Sequence, residues 1–292
     1  MTMNQSIICF TLISALFVGG CSSTSLVYNN ADWFAREKID DYFSISGSQQ
    51  RRLDRDIDNF ILWHRTNELP RYAQFIDDLT RMLADGLGKD DVTLLFEEIV
   101  AARVRFAEAS IASATDFLVS VNAEQLDYMN REFYQGLTED KEELEIPAEQ
   151  RREQKFEQRL DTLENWFGNF DQQQVRKVRQ ISDEIPDNHR YWLKQREQNH
   201  IAFLALLRSK PDPESIEQYL HERFVKREGV DDEQRIQMQL SRANWQIALI
   251  KLDRLLTEKQ RQSAIDKLVD YRDDFITLSQ QQANQNRSKV DR

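Results

Sequence analysis

Apolar residues recur at intervals of three and four along most of the chain. One such stripe, in the segment 46–67, consists of Leu53, Ile57, Phe60, Ile61 and His64. This spacing places the side chains on one face of an α-helix. No segment combines sustained apolar–polar alternation with the β-branched enrichment of a strand. The eight glycines and five prolines mostly lie between helical segments. The pattern predicts an all-α fold, in which several helices bury their stripes against one another as a multi-helix bundle.

Five of the predicted helices share a motif at their start. An apolar residue precedes a helix-opening residue, and glutamine follows three positions after the latter. The opening residues and their glutamines are Ser46 and Gln49, Asn122 and Gln125, Pro147 and Gln150, Asp171 and Gln174, and Thr257 and Gln260. The side chains of Ser, Asn, Asp and Thr accept a hydrogen bond from a free backbone N–H at the helix start. The glutamine side chain accepts one from the backbone N–H of the capping residue, as in a capping box. Pro147 has no capping side chain, so Ile146 or a shifted boundary must open that helix. The repetition suggests an old duplication.

The N-terminal segment has the features of a secretion signal. Residues 7–20 carry no charged side chain and are mostly apolar. This run is shorter than the roughly 20 apolar residues that cross a bilayer, but it suits the apolar core of a signal peptide. It ends in Val18-Gly19-Gly20-Cys21, which resembles the lipobox of bacterial lipoproteins and implies that Cys21 is acylated. Met1–Ser6 lacks the usual Lys or Arg, and the alternative is a buried helix with Cys21 in a core.

These features predict the organisation of the whole chain. We expect a signal peptide at 1–20, the acylated cysteine with a polar tether at 21–30, a single all-helical body at 31–280, and a disordered polar tail at 281–292. The chain is long enough for one large bundle or for two packed helical sub-bundles.

The charge of the chain limits its partners. Lys and Arg number 39 against 50 Asp and Glu, a formal net charge of −11. Nucleic acids and anionic lipids select basic surfaces. We therefore expect no nucleic acid to bind, and we expect the membrane contact to come from the acyl chains on Cys21. The other cysteine, Cys9, lies in the predicted signal peptide, so the stability of the body must come from packing rather than from disulfides.

Three further stretches carry a resemblance to known proteins. They are YNNADW (Tyr28–Trp33), QQRRL (Gln49–Leu53) and WHRTNELPRYAQFIDDL (Trp63–Leu79). With Cys21, they resemble an uncharacterised family of Gram-negative helical lipoproteins that has no established activity. In Gram-negative lipoproteins the residue after the cysteine directs sorting, and Ser22 implies the outer membrane, with the body facing the periplasm. Display on the cell surface is the alternative.

His64 and Glu68 are the sharpest candidates for a chemical site. They lie one helical turn apart, on the stripe of Ile57, if the helix continues to the residue before Pro70. A buried His–carboxylate pair shifts pKa values toward neutrality and suits acid–base chemistry. Arg65 is the nearest candidate third member, and two others are Asp32 and Arg71. The alternative, which we favour, is a satisfied polar network that sets the helix register.

Other catalytic patterns are absent from the sequence. The four histidines, His64, His189, His200 and His221, form no HExxH motif, although the spacing of His189 and His200 allows them to share a helix face. There is no GxSxG motif, no glycine-rich phosphate loop and no nucleophilic cysteine. We therefore expect no metal, no cofactor and no enzymatic activity.

The remaining function classes concern protein binding. The first expectation is a non-catalytic scaffold or accessory subunit that binds a protein partner near the outer membrane. The second is a periplasmic chaperone, because LTEKQR (Leu256–Arg261) is similar to the Leu-Thr-x-x-Gln-Arg signature of small periplasmic chaperones. The third is a hydrolase or small-ligand-binding protein built around His64 and Glu68.

Overall fold

The computed structural model describes residues 27–45, 47–228 and 230–290, with side chains described as far as Gln281. Cys21 and the predicted signal peptide lie outside this part. The described residues form eleven α-helices and two short π-helices and contain no strand, which confirms the predicted all-α multi-helix fold. The α-helices are α1 Ala31–Phe43, α2 Gly47–Trp63, α3 Leu69–Asp85, α4 Lys89–Val119, α5 Ala123–Glu145, α6 Ala148–Phe167, α7 Gln172–Asp183, α8 His189–Arg208, α9 Pro213–Leu220, α10 Asp232–Asp253 and α11 Glu258–Val290. The first π-helix is His64–Glu68 and the second is His221–Lys226.

The first π-helix joins α2 to α3 without a break in the helical path. Pro70 is the second residue of α3. Its ring lacks an N–H and clashes with the carbonyl four residues earlier in a regular α-helix. The wider π turn at His64–Glu68 removes that clash, because its hydrogen bonds reach one residue further. The helix therefore passes through Pro70 instead of ending before it.

The chain divides into two compact units. Unit 1 comprises residues up to Asn67 together with Ala101–Glu145 and Asn188–Gly229. Unit 2 comprises Glu68–Val100, Ile146–Asp187 and the residues from Val230 onward. Each unit gathers three separate segments, so neither can be recognised as a continuous stretch of sequence.

Unit 1 is built on α5, which packs against α1 and α8. Its main buried cluster brings together residues of α4, α5, α8 and α9: Ile111, Leu118, Leu126, Met129, Leu204, Leu207, Ile216 and Leu220. A second cluster joins α5 to α8 through Phe133, Leu137 and Leu193. These residues recur at helical spacing, and their burial supplies the main stabilisation of the unit.

Unit 2 is built on α11, which packs against α3 and α6. Leu278 on α11 and Leu69 at the start of α3 are both completely buried. Phe156 of α6 and Val178 of α7 form a further cluster with Phe170. No helix in the described ranges is both long and apolar enough to span a membrane.

Three of the four predicted capping boxes are confirmed. Asp171 accepts from the backbone N–H of Gln174, and the Gln174 amide oxygen accepts from the Asp171 N–H at 3.0 Å. Asn122 with Gln125, and Thr257 with Gln260, form the same pair of bonds. The Pro147 start has no side-chain cap, and Ser46 lies outside the described residues.

The glutamines of these boxes also bond to one another. In unit 2, the Gln174 amide nitrogen donates to Gln260 at 2.8 Å, and Gln260 donates back at 3.2 Å. In unit 1, Gln49 and Gln125 exchange the same two bonds, at 3.2 and 2.8 Å. Each unit therefore joins two helix starts through a reciprocal amide pair, which supports the suggested duplication.

Two predicted boundaries also differ from the structure. Tyr28, predicted as tether, is buried at 4 % exposure in unit 1. α11 remains helical to Val290, beyond the start of the predicted disordered tail at residue 281. That tail is polar but has neither Pro nor Gly, and its Gln, Arg, Lys and Ala residues are good helix formers.

Candidate functional site

The first candidate site surrounds His64. The Tyr28 hydroxyl lies 2.6 Å from His64 Nδ1, and the two rings stack with centroids 5.7 Å apart. A neutral imidazole accepts at only one of its two nitrogens. If the tyrosine donates, Nδ1 is the acceptor and Nε2 carries the proton. One partner of His64 is therefore an aromatic residue from just before α1.

Arg65, the predicted third member, belongs to the same group. Its guanidinium lies over the Tyr28 ring, 5.2 Å from the centroid, and donates to Asn29 Oδ1 at 2.8 Å. Asp32 bonds instead to Arg36 at 2.5 Å. Arg36 also bonds to Asp54 and Asp58 of α2, so it fastens α1 to α2. The sequence motif YNNADW thus supplies contacts between α1 and the end of α2.

The surroundings of His64 are aromatic and weaken its basicity. Phe60 and Trp63 have ring centroids 6.4 and 6.3 Å from the imidazole. Burial disfavours the charged imidazolium and lowers the pKa of His64 from 6.5 to about 4. A general base works best with a pKa near the operating pH. The arrangement therefore holds a neutral histidine at neutral pH.

Glu68 has a different partner. Its side chain is completely buried, and its Oε1 lies 3.4 Å from Arg71 Nη1 on the next turn. The division between the two units falls between Asn67 and Glu68. His64 in unit 1 thus contacts Tyr28, whereas Glu68 in unit 2 contacts Arg71. Of the predicted group, the structure joins His64 and Arg65 through Tyr28, and it pairs Glu68 with Arg71.

His200 also has aromatic and polar neighbours. His200 stacks face to face on Phe133, with centroids 3.6 Å apart, and its Nε2 lies 3.0 Å from Asn130. Burial, together with the charge of Arg208, lowers the pKa of His200 to about 4. In the described part of the chain, no three His, Cys, Asp or Glu side chains come together as metal ligands would.

A second candidate site is an exposed apolar face on α10. Ile236, Leu240 and Ile247 are 53, 51 and 52 % exposed, and Ala243 between them is exposed as well. The four positions are separated by four, three and four residues, which is the spacing of core positions in a coiled coil. We call these four residues the α10 stripe. Half-exposed isoleucine and leucine side chains in one line are a feature of binding surfaces.

The residues around the α10 stripe carry almost no charge. The segment Ile236–Ile250 contains a single charged residue, Arg242, in a chain that is 30 % charged. The Arg242 guanidinium lies over the Phe96 ring, 5.7 Å from its centroid. Gln237, Gln239, Asn244 and Gln246 occupy the positions beside the stripe. The stripe is therefore flanked by amides, which tolerate burial in an interface better than charges do.

α10 has two apolar faces. Trp245, Leu249 and Leu252 form one face and are partly buried. The residues of the α10 stripe lie on the other side of the same helix. A helix with apolar residues on two faces has no clear polar side to contrast with its core side. The coiled-coil spacing within a segment of low charge is the signal that reveals the second face.

The fold and these two sites define a class: an all-α helical protein with a buried aromatic–histidine cluster and one exposed apolar helix face. The chain belongs to a family of unknown function (DUF6279), whose family model matches residues 41–228. This confirms the predicted membership of an uncharacterised family. No curated protein and no solved structure matches the chain. The match begins near the end of α1, includes segments of both units and ends before α10.

Proposed function

We propose that the protein is an outer-membrane lipoprotein that binds a partner protein in the periplasm without catalysing a reaction. The α10 stripe is the binding surface, and its partner is an amphipathic helix. The lipid on Cys21 holds the body at the membrane, and the binding surface lies in unit 2. The observation that carries the proposal is the stripe itself, with its coiled-coil spacing and its amide flanks.

The partner chemistry follows from the geometry of the stripe. Ile236, Leu240, Ala243 and Ile247 continue to the half-buried Ile250, so five positions alternate by four and three residues. An α-helix that crosses α10 at a small angle fits its own apolar residues between such positions. Burying apolar surface releases about 25 cal/mol per Å². Three half-exposed aliphatic side chains therefore favour a helix partner over a polar ligand.

The absence of catalysis in this proposal rests on His64. The histidine is neutral near pH 7, it has Tyr28 as hydrogen-bond partner, and aromatic rings surround it. Buried polar groups with such partners commonly serve structure. The same contacts connect Tyr28, within the predicted tether, to the π-helix that follows α2.

A charge placed in the stripe tests the proposal. The native mass of the complete lipidated protein, extracted from envelopes in mild detergent, is measured by light scattering. We expect the wild type to carry a partner, and we expect Leu240→Glu to leave only the free chain. The matched control is Gln154→Glu, a substitution on the exposed face of α6 in the same unit. If the wild type has the mass of a single chain without a partner, the proposal is contradicted. If its mass equals two copies of the chain, the stripe serves self-association instead.

A periplasmic chaperone is the second candidate. The signature residues Thr257 and Gln260 form a capping box, and Gln260 pairs with the Gln174 box of the same unit. An exposed apolar stripe also suits transient contacts with unfolded chains. A chaperone suppresses the aggregation of several unrelated clients at less than one molecule per client. A dedicated binding protein has no such effect, so this assay separates the two candidates.

A further inference from the structure

Two large aromatic side chains lie exposed at the beginning of α1, in unit 1. Trp33 is 53 % exposed and Phe34 is 45 % exposed. Their rings meet edge to face, with centroids 4.8 Å apart. α1 packs against α2 and α5 on its other side, where Ala31 is buried and Tyr42 joins the main cluster of the unit. The aromatic pair therefore leaves apolar surface in contact with water, and covering that surface is favourable.

The charges around the aromatic pair limit what can cover it. In the segment 27–36 the charged residues are Asp32 and Arg36, which bond to each other at 2.5 Å. Arg36 also bonds to two aspartates of α2, and the segment 37–43 holds three acidic residues against one basic residue. This acidic surrounding offers no attraction to anionic groups. A partner of the pair is therefore held by apolar contact with the rings rather than by charge.

The position of the pair in the sequence sets its distance from the predicted anchor. The described chain begins at Val27, six residues after Cys21. Six residues span at most about 22 Å when fully extended. Six further residues lead to Trp33, which adds about 9 Å along a helical path. An acylated Cys21 therefore keeps the pair within about 31 Å of the lipid headgroups, whatever conformation the intervening residues take.

We propose that Trp33 and Phe34 insert into the interface of the membrane that holds Cys21 and turn the start of α1 toward the lipid. The inference rests on the lipid anchor of the proposed function and adds a second membrane contact to it. Tryptophan is enriched at membrane interfaces, and both residue types serve as apolar anchors of proteins that lie on a bilayer. The anchor makes insertion of the rings an intramolecular step, so two rings suffice where they would not hold a free protein.

Quenching by brominated lipid tests the contact on the complete lipidated protein. The protein is reconstituted into vesicles of phosphatidylethanolamine and phosphatidylglycerol, and flotation first measures whether it is bound. Part of the lipid is then replaced by phosphatidylcholine that carries bromine close to the headgroup end of its acyl chains. The chain has five tryptophans, so quenching of Trp33 alone removes up to about one fifth of the emission. We expect a loss of this size in the wild type and none in Trp33→Phe.

The matched control is Trp192→Phe, at a half-buried tryptophan of α8 in the same unit. This variant should keep the quenching of the wild type. If the floated wild type is not quenched, or if Trp33→Phe is quenched equally, the membrane contact is overturned while the anchor stands. If the wild type does not float, the anchor fails and this inference fails with it. A photoreactive residue at Phe34 that crosslinks to protein and not to lipid in cells would assign the pair to a protein partner instead.

Discussion

The Tyr28 hydroxyl lies 2.6 Å from His64 Nδ1, and this contact connects residues that are 36 positions apart. Tyr28 is buried, and the Arg65 guanidinium lies over its ring as a cation. The contact makes the segment before α1 part of the folded body. It also gives His64 a structural contact outside its own helix.

Removing the hydroxyl should destabilise unit 1. Tyr28→Phe leaves the imidazole nitrogen without its hydrogen-bond partner, which costs about 1–2 kcal/mol of unfolding free energy. His64→Ala should cost more, because it also removes aromatic packing with Phe60 and Trp63. The control is Tyr134→Phe, at a ring that is 37 % exposed. Urea unfolding followed by circular dichroism measures all three, and equal stability of Tyr28→Phe and wild type would exclude the structural role.

The lowered pKa of His64 predicts a loss of stability in acid. Its pKa falls from 6.5 to about 4 on folding because burial disfavours the imidazolium. Between these values the unfolded chain binds a proton that the folded chain excludes, so stability is complete above about pH 6.5 and falls as pH drops toward 4. His200 contributes in the same direction and window.

His64→Asn keeps an acceptor near the Nδ1 position but cannot be protonated. Between pH 7 and pH 4.5, the unfolding free energy of this variant should fall by about 1–2 kcal/mol less than that of the wild type. Urea unfolding at a series of pH values measures the difference. His221→Asn, at a side chain that is 39 % exposed, serves as the control. The same pH dependence in His64→Asn and wild type would contradict the effect of burial.

The paired glutamines should matter more than other glutamines at helix starts. Gln260→Leu removes the bond to the Thr257 N–H, the pair with Gln174 and a bond to the Asn169 carbonyl at 2.9 Å. We expect a loss of about 2–3 kcal/mol, since a buried group is left without partners. Gln150→Leu, at the helix start where Pro147 provides no side-chain cap, should change the unfolding free energy by less than about 0.5 kcal/mol. If urea unfolding shows similar losses of unfolding free energy at both positions, the pairing of the glutamines does not contribute to stability.

Local signals explain what the sequence predicted correctly. Helical spacing gives the all-α class, and the capping residues Asn122, Asp171 and Thr257 mark helix starts because their partners lie three positions away. Long-range contacts explain what it missed. The pairing of Gln49 with Gln125 spans 76 residues, and no local pattern reports it.

The contacts around the candidate site could be predicted only in part for the same reason. The contact of His64 with Tyr28 spans 36 residues, and Tyr28 lay in a stretch interpreted as tether. The α10 stripe was not predicted because a helix with apolar residues on two faces has no polar side to contrast with its core side.

The predicted anchor depends on Cys21 alone. Cys21→Ser removes the sulfur that would carry the lipid, so the protein should leave the membrane fraction and should not incorporate labelled palmitate. Fractionation and metabolic labelling measure both effects. Continued lipid attachment in the Cys21→Ser variant would exclude the anchor. Cys9→Ser, within the predicted signal peptide, is the control and should not alter labelling.

Site-specific photocrosslinking in living cells tests the proposed binding surface most directly. A photoreactive residue is placed at Leu240 in the α10 stripe and, for comparison, at the exposed Gln154 on α6. We predict one dominant protein adduct from Leu240, none from Gln154, and loss of the Leu240 adduct when Ile247→Glu is added. No adduct at Leu240, or the same adducts from both positions, would contradict the proposed binding surface.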